Sequence, residues 1–168
     1  MKKLVFALLA IGLLAGCAPA TALTRQEKDA FLQIAEAEFS EDISEKLKEL
    51  ASESIVKAYR AGAQYGFVVA AKGRNAAIWM AVVIENKLIT GARIYKQEET
   101  PHYVRDYADS AWFMDRFANK STDLTLKLVK LEVEAPEDIV AISGATVTTQ
   151  AVIDGINDAM AAYNALTE

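Results

Sequence analysis

The spacing of apolar and polar positions predicts a helix at the start of the folded region. Phe31 and Ile34 lie on one face of it, and Thr24 and Glu27 have the spacing of a capping box. We expect this helix to end near Ser40.

The pattern from Ser40 to Tyr59 fits two structures. Its apolar positions could mark a second helix, but the stretch from Ile55 to Tyr59 is also typical of a strand. The positions that favour a helix are Ile43, Leu47, Leu50 and Ile55.

Three strands are predicted next, because Val, Ile and aromatic residues become frequent and favour extended structure. The segment Glu85-Asn86-Lys87 is expected to be a hairpin turn between the last two, so the strands should form a meander. They cover Tyr65 to Ala71, Ala77 to Glu85 and Leu88 to Tyr95.

The C-terminal part combines helices with one strand. Aromatic spacing after Pro101 predicts a helix from about His102 to Ala118, and alternation predicts a strand from Leu124 to Val133, closed by Pro136. A final helix is indicated by apolar positions at helical intervals, namely Val152, Ile156, Met160 and Tyr163. Together the elements predict an α+β fold, a mainly antiparallel sheet with packed helices.

Composition narrows the chemistry. The 168 residues contain one Cys and one His, so a disulfide, a zinc or iron–sulfur ligand set, or a bound metal of any kind is not expected. The net charge of −5 makes nucleic acid an improbable partner. The sequence has no Gly-x-Ser-x-Gly motif, and His102 is the only histidine that a Ser-His-Asp triad could use. Demanding chemistry would therefore require an organic cofactor.

The N-terminus predicts export. Lys2 and Lys3 precede a short apolar run that ends in Leu14-Ala15-Gly16-Cys17, which resembles a bacterial lipobox. We therefore expect a signal peptide over residues 1–16, a lipidated Cys17 with a tether over residues 17–24, and a single domain over residues 25–168. The protein would then lie outside the cytoplasm, anchored to a bacterial membrane by lipid. The alternative is an ordinary secretory signal with a free Cys.

The hydroxyl-rich segment from Ser143 to Thr148 is the strongest candidate for a site. Gly144 permits a sharp turn, and the segment directly precedes the final helix. Unpaired N–H groups and the positive end of a helix dipole favour a phosphate at such a position. These residues could instead serve only as helix caps.

Three motifs together resemble the FMN-binding domain that occurs in one subunit of Rnf-type electron transport complexes and in one subunit of sodium-translocating NADH:quinone reductases. They are Glu99-Thr100-Pro101, the pair Trp112 and Phe117, and the segment Ser143 to Thr148. The resemblance implies FMN joined covalently to Thr148 by a phosphoester and installed by a flavin transferase that uses FAD and a divalent metal. It also implies phosphate contacts from Ser143, Gly144, Ala145 and Thr146, and ring contacts from Glu99 and Thr100.

The leading hypothesis is a lipoprotein that relays electrons between a membrane-bound donor and another acceptor, with redox partner proteins or a membrane electron-transport complex as its partners. The family usually has Gly after Glu-Thr-Pro and another Gly two residues on, where this chain has His102, Tyr103 and Val104, and it commonly has Asp where this chain has Val140. These departures favour a second hypothesis, a non-redox binding or structural lipoprotein with the same fold. A third is a flavin reductase acting on a small substrate.

Overall fold

The computed structural model describes residues 22–49, 52, 54–100 and 111–168. Several predicted features lie outside the described residues: the signal peptide, Cys17, most of the tether, Leu50, and the first part of the aromatic helix with His102 and Tyr103. Within the described part, no helix combines the length and the apolar character needed to cross a membrane.

A five-stranded antiparallel sheet forms the centre of the domain, with its strands in sequence order. The predicted meander and the α+β fold class are therefore confirmed. The strands are β1 (Glu41–Asp42), β2 (Ile55–Ala61), β3 (Gln64–Lys72), β4 (Ala77–Glu85) and β5 (Leu88–Lys96). The segment from Ile55 is a strand, which was one of the two interpretations. Where the other interpretation placed a second helix, the described residues form a short 3-10 helix over Ser44–Glu49.

The turn between β4 and β5 has the predicted position. Asn86 and Lys87 connect the strands, with φ values of 51° and 62°. Positive φ at both central residues is the geometry of a two-residue turn that matches the twist of the flanking strands. The turn sets the pairing next to it, where Glu85 pairs with Leu88, and the register shifts beyond Ile84.

The first helix, α1 (Arg25–Leu32), has the predicted capping box but not the predicted end. The N–H of Glu27 donates to Thr24 Oγ1 at 3.3 Å, and the N–H of Thr24 donates to Glu27 Oε2 at 2.7 Å. The helix stops well before Ser40, so that prediction was wrong. Tertiary packing explains the difference: Phe39 folds back onto Phe31, with ring centroids 4.7 Å apart, which a continuous helix would prevent.

A short helix, α2 (Ala111–Met114), continues into a 3-10 turn over Asp115–Phe117. These residues agree with the last part of the predicted aromatic helix. Phe113 and Phe117 are fully buried and pack edge to face, 5.6 Å apart, whereas Trp112 is half exposed. The aromatic stripe is therefore partly core and partly surface.

The predicted strand from Leu124 to Val133 is largely wrong. Only β6 (Lys127–Val129) forms, and it pairs in parallel with an unpredicted strand, β7 (Asp138–Val140). Before β6, the N–H of Leu126 donates to Asn157 Oδ1 at 2.9 Å, and Asn157 Nδ2 donates to the carbonyl of Leu126 at 3.0 Å. A side chain on the final helix thus takes the place of a strand neighbour.

The long final helix, α3 (Thr146–Thr167), packs against β3 and β4 on one face of the sheet, and α1 packs on the other. Gly155 lets α3 approach closely, since a Cβ there would lie 2.7 Å from Met80 Cε and 3.0 Å from Ala71 Cβ. This packing fixes the start of α3 beside the end of β3.

Candidate functional site

The predicted hydroxyl-rich segment does lie at the start of a helix. Gly144 has a φ of 78°, and the chain then enters α3. The first helical hydrogen bond runs from the N–H of Thr149 to the carbonyl of Ala145 at 2.8 Å. The N–H groups of Thr146, Val147 and Thr148 precede that bond, so the helix itself leaves them without carbonyl partners.

Two adjacent threonines in this first turn have different roles. The hydroxyl of Thr149 donates to the carbonyl of Ala145 at 2.9 Å and accepts from the N–H of Ile142 at 3.3 Å. Its side chain therefore holds the entry to the helix together. The hydroxyl of Thr148 makes no cap and instead donates to Glu99 Oε2 at 2.6 Å. Thr148 is thus the threonine whose oxygen is available for chemistry.

Glu99 is held by the turn between β3 and β4. Its Oε1 accepts from the N–H of Asn75 at 2.8 Å, and the N–H groups of Arg74 and Ala76 also face the carboxylate. Gly73 makes this arrangement possible, because a Cβ there would lie 2.5 Å from the carbonyl oxygen of Ala76 and 2.7 Å from Glu99 Oε1. The turn therefore forms a cradle for one carboxylate.

These contacts also set the ionisation of Glu99. Burial alone would raise the pKa of Glu99, but it is outweighed by hydrogen bonds from the N–H of Asn75, the hydroxyl of Thr148, and the N–H groups of Ala76 and Arg74. The pKa consequently lies below its ordinary value, and the side chain is a carboxylate at neutral pH.

A pH-dependent contribution to stability follows from the lowered pKa of Glu99. Between its folded and unfolded pKa values the unfolded chain binds more protons, so the free energy of unfolding rises with pH there. We expect the stability advantage of the native protein over Glu99→Gln to be complete above the ordinary pKa of 4.5 and to be lost as the pH falls through the lower folded value. Urea unfolding of both proteins from about pH 7 to about pH 3 measures it. A difference that does not change with pH would contradict this expectation.

A small cavity of about 150 Å³ lies beside Thr148. It is smaller than the roughly 300–1,000 Å³ of sites that enclose a whole ligand. Its size, its place at a helix N-terminus, a positive-φ glycine and a basic residue in its wall together fit a phosphate group. Its walls are formed by Arg74, Glu99, Thr100, Gly144, Ala145, Thr146, Val147 and Thr148. A larger cavity of about 560 Å³ lies under α1 and contains none of the predicted site residues.

Ser143 is the predicted phosphate contact that does not line this cavity. It is exposed and borders a neighbouring depression of about 290 Å³, together with Trp112, Arg116 and Val140. The Arg116 guanidinium lies 4.7 Å from the Trp112 ring centroid and donates to the carbonyl of Val140 at 3.3 Å. Asp138 lies two residues before Val140 in the chain, and its Oδ2 accepts from the N–H groups of Glu134 and Ala135. This carboxylate therefore stabilises the turn before β7.

The structure thus brings together six of the seven predicted cofactor residues and adds residues that the sequence did not indicate. Glu99 lies at Thr148 itself, and Thr100 accepts from the side-chain amide of Asn75 at 3.4 Å. Gly73, Arg74 and Asn75 were missed. They form an ordinary strand connection in the sequence, and only the folded sheet places them next to α3.

Comparison with known proteins agrees with this geometry. The family model for the FMN-binding domain matches residues 73–161, just over half of the chain. The chain is also 37% identical over 82 residues to a subunit of the Na⁺-translocating ferredoxin:NAD⁺ oxidoreductase complex of Acetobacterium woodii, a match that covers 48% of this chain and 39% of the relative. The chain therefore spans about two fifths of that protein's length. From the extent of the family match, which includes both Glu99 and Thr148, we conclude that this chain belongs to the FMN-binding domain family.

Proposed function

We propose that this protein is an electron-carrying flavoprotein in which FMN is bound covalently through a phosphoester on Thr148. The observation that carries the proposal is the buried Thr148 hydroxyl at the start of α3, beside a cavity that fits a phosphate group. Membership of the FMN-binding domain family supports FMN as the source of that phosphate. When attached, FMN supplies the redox chemistry, because a flavin accepts one or two electrons.

The residues around Thr148 would hold the phosphate by charge and by backbone donors. The N–H groups of Thr146 and Val147 and the positive end of α3 favour a negative group. Gly144 leaves the approach free of a side chain, and Arg74 adds a positive charge at the wall of the cavity. Thr100, exposed at the same wall, is proposed to donate a hydrogen bond to the flavin.

The protein would bind and orient the cofactor and would not need an acid, a base or a nucleophile during electron transfer. Hydrogen bonds and nearby charges set the reduction potential of a bound flavin. A covalent bond would also prevent loss of FMN outside the cytoplasm, where the lipid-anchored location predicted from Cys17 would place the domain. Attachment there would require a flavin transferase.

The partners proposed for this protein are redox proteins of a membrane electron-transport complex. Support comes from the relative in Acetobacterium woodii, whose name describes a subunit of a Na⁺-translocating ferredoxin:NAD⁺ oxidoreductase complex. The similarity covers less than half of that relative, so the partners of this chain are inferred only as a class, namely redox proteins of a membrane electron-transport complex.

The test is to express the full chain with a flavin transferase and to measure its intact mass and in-gel flavin fluorescence after denaturation. We expect one added FMN less one water, and a bound flavin that is reduced and reoxidised reversibly. Expression without the transferase is the control and should give no covalent flavin. A chain that takes up no flavin would favour the non-redox lipoprotein, and saturable turnover of a small acceptor would favour a reductase.

A further inference from the structure

Glu99 is a buried carboxylate that electron transfer does not use, and it touches the oxygen to which FMN would be attached. Its Oε2 lies 2.6 Å from Thr148 Oγ1, and the exposed fractions of the two residues are 7% and 4%. A hydroxyl has one proton to donate. With that proton directed to Glu99, the lone pairs of Thr148 Oγ1 remain available for a new bond.

We propose that Glu99 is a catalytic residue of flavin attachment, which orients the Thr148 hydroxyl and accepts its proton as the phosphoester forms. The inference rests on the proposed function, because it concerns how Thr148 acquires FMN. The co-reactant is FAD, presented with a divalent metal by the flavin transferase. The carboxylate would therefore be a part of the reaction site that the acceptor protein itself contributes.

The step balances as a phosphoryl transfer. A bond forms between Thr148 Oγ1 and the phosphorus that carries the riboflavin group, and the anhydride bond of FAD breaks. The electron pair of that bond leaves on the phosphate oxygen of AMP. The proton of the Thr148 hydroxyl passes to Glu99 Oε2 and from there to solvent.

The surroundings of Glu99 suit this role. Its other oxygen, Oε1, is fixed by the N–H of Asn75 at 2.8 Å, and the N–H of Glu99 donates to Gln97 Oε1 at 2.7 Å. Among the described residues no lysine or arginine forms an ion pair with this carboxylate. Within the part of the chain that the structure describes, the charge is thus held by hydrogen bonds and not by an ion pair.

A carboxylate of low basicity is adequate for this reaction. Phosphoryl transfer passes through a loose transition state in which the attacking hydroxyl needs little negative charge. Protein kinases likewise use an aspartate that accepts the proton of a substrate hydroxyl. The lowered pKa of Glu99 keeps it ionised, and therefore ready to accept, at neutral pH.

A purely structural role for Glu99 makes a different prediction. The β3–β4 turn would still be bonded by a neutral glutamine, whose oxygen accepts hydrogen bonds as the carboxylate does. Glu99→Gln would then change stability but not the rate of attachment. Glu98, the exposed neighbour of Glu99, offers a matched control for the loss of one negative charge at this end of β5.

The experiment measures the attachment rate on purified full-length chain with purified transferase, FAD and Mg²⁺, by intact mass and AMP release. We expect Glu99→Gln to lower kcat by about 100-fold or more, a usual size for proton transfer to a positioned base, with KM for the chain unchanged. Glu98→Gln should react like the native protein. The ratio of native to Glu99→Gln rates should fall as pH rises, because hydroxide replaces the missing base, and this ratio cancels the pH dependence of the transferase.

Each outcome separates the two proposals. If the native chain reacts and Glu99→Gln matches it in rate and in pH profile, the role of Glu99 is wrong while the covalent flavoprotein stands. If the native chain takes up no FMN, both proposals fail. Should glutamine unfold the turn, Glu99→Asp keeps the charge but withdraws it from Thr148, and a folded Glu99→Asp that reacts at the native rate would also overturn the role.

Discussion

Thr148→Ala is expected to abolish covalent FMN completely while the domain remains folded. The substitution removes the only atom that we assign to the phosphoester, so the effect on attachment is all or none. It also removes a buried hydrogen bond to the carboxylate of Glu99, which costs about 1.5–3 kcal/mol of stability. A domain with an ordinary stability of about 5–15 kcal/mol tolerates that loss. Intact mass and flavin fluorescence measure attachment, and circular dichroism measures folding.

Two variants in the same motif serve as controls. Thr148→Ser retains a hydroxyl at the same position and should still accept FMN. Thr146→Ala removes an exposed hydroxyl from the same helix turn and should leave the covalent bond at Thr148. Covalent flavin on the Thr148→Ala protein would show that another residue is the attachment point, and peptide mapping would identify it.

The fold was predictable where local pattern and tertiary structure agree. Three strands of the meander and the turn at Asn86 and Lys87 followed from residue type and spacing alone, because β-branched and aromatic runs favour strands and a two-residue turn joins neighbouring ones. The predictions failed where a contact between residues distant in sequence determines where a helix or strand begins or ends. The end of α1 depends on Phe39 packing back onto Phe31. The predicted strand does not begin at Leu124, and at Leu126 the amide of Asn157 takes the place of a strand neighbour.

The candidate site, like the fold, was predictable where its residues are neighbours in the sequence and not where distant residues meet. The segment proposed to bind the phosphate is continuous in sequence, so Gly144 and Thr148 could be identified as candidates together. The partner of Thr148 is 49 residues away, and the resemblance predicts a ring contact for Glu99 but not its hydrogen bond to Thr148. The cradle at Gly73 and Asn75 has no sequence motif, since it positions a carboxylate that lies beyond the end of β5.

The largest effect on stability is expected at a buried ion pair on the face of the sheet opposite Thr148. Lys57 Nζ lies 2.8 and 3.1 Å from the carboxylate oxygens of Glu27 and donates to the carbonyl of Ala22 at 2.9 Å. Burial and the nearby charge of Glu27 raise the pKa of Tyr95, whose hydroxyl also donates to Glu27. The cluster therefore fastens the beginning of the domain, next to the predicted tether, to β2 and β5.

Lys57→Met should lower the free energy of unfolding by about 3–5 kcal/mol, because it leaves the Glu27 carboxylate buried without its cation. Glu27→Gln combined with Lys57→Met should recover part of that loss, since no unpaired charge remains. Lys127→Met breaks an exposed pair with Glu137 and should change stability by no more than about 1 kcal/mol. Urea unfolding measures all three. A Lys57→Met protein as stable as the Lys127→Met protein would contradict the importance given to burial. FMN attachment at Thr148 should persist in each folded variant, because the ion pair and the proposed flavin site lie on opposite faces of the sheet.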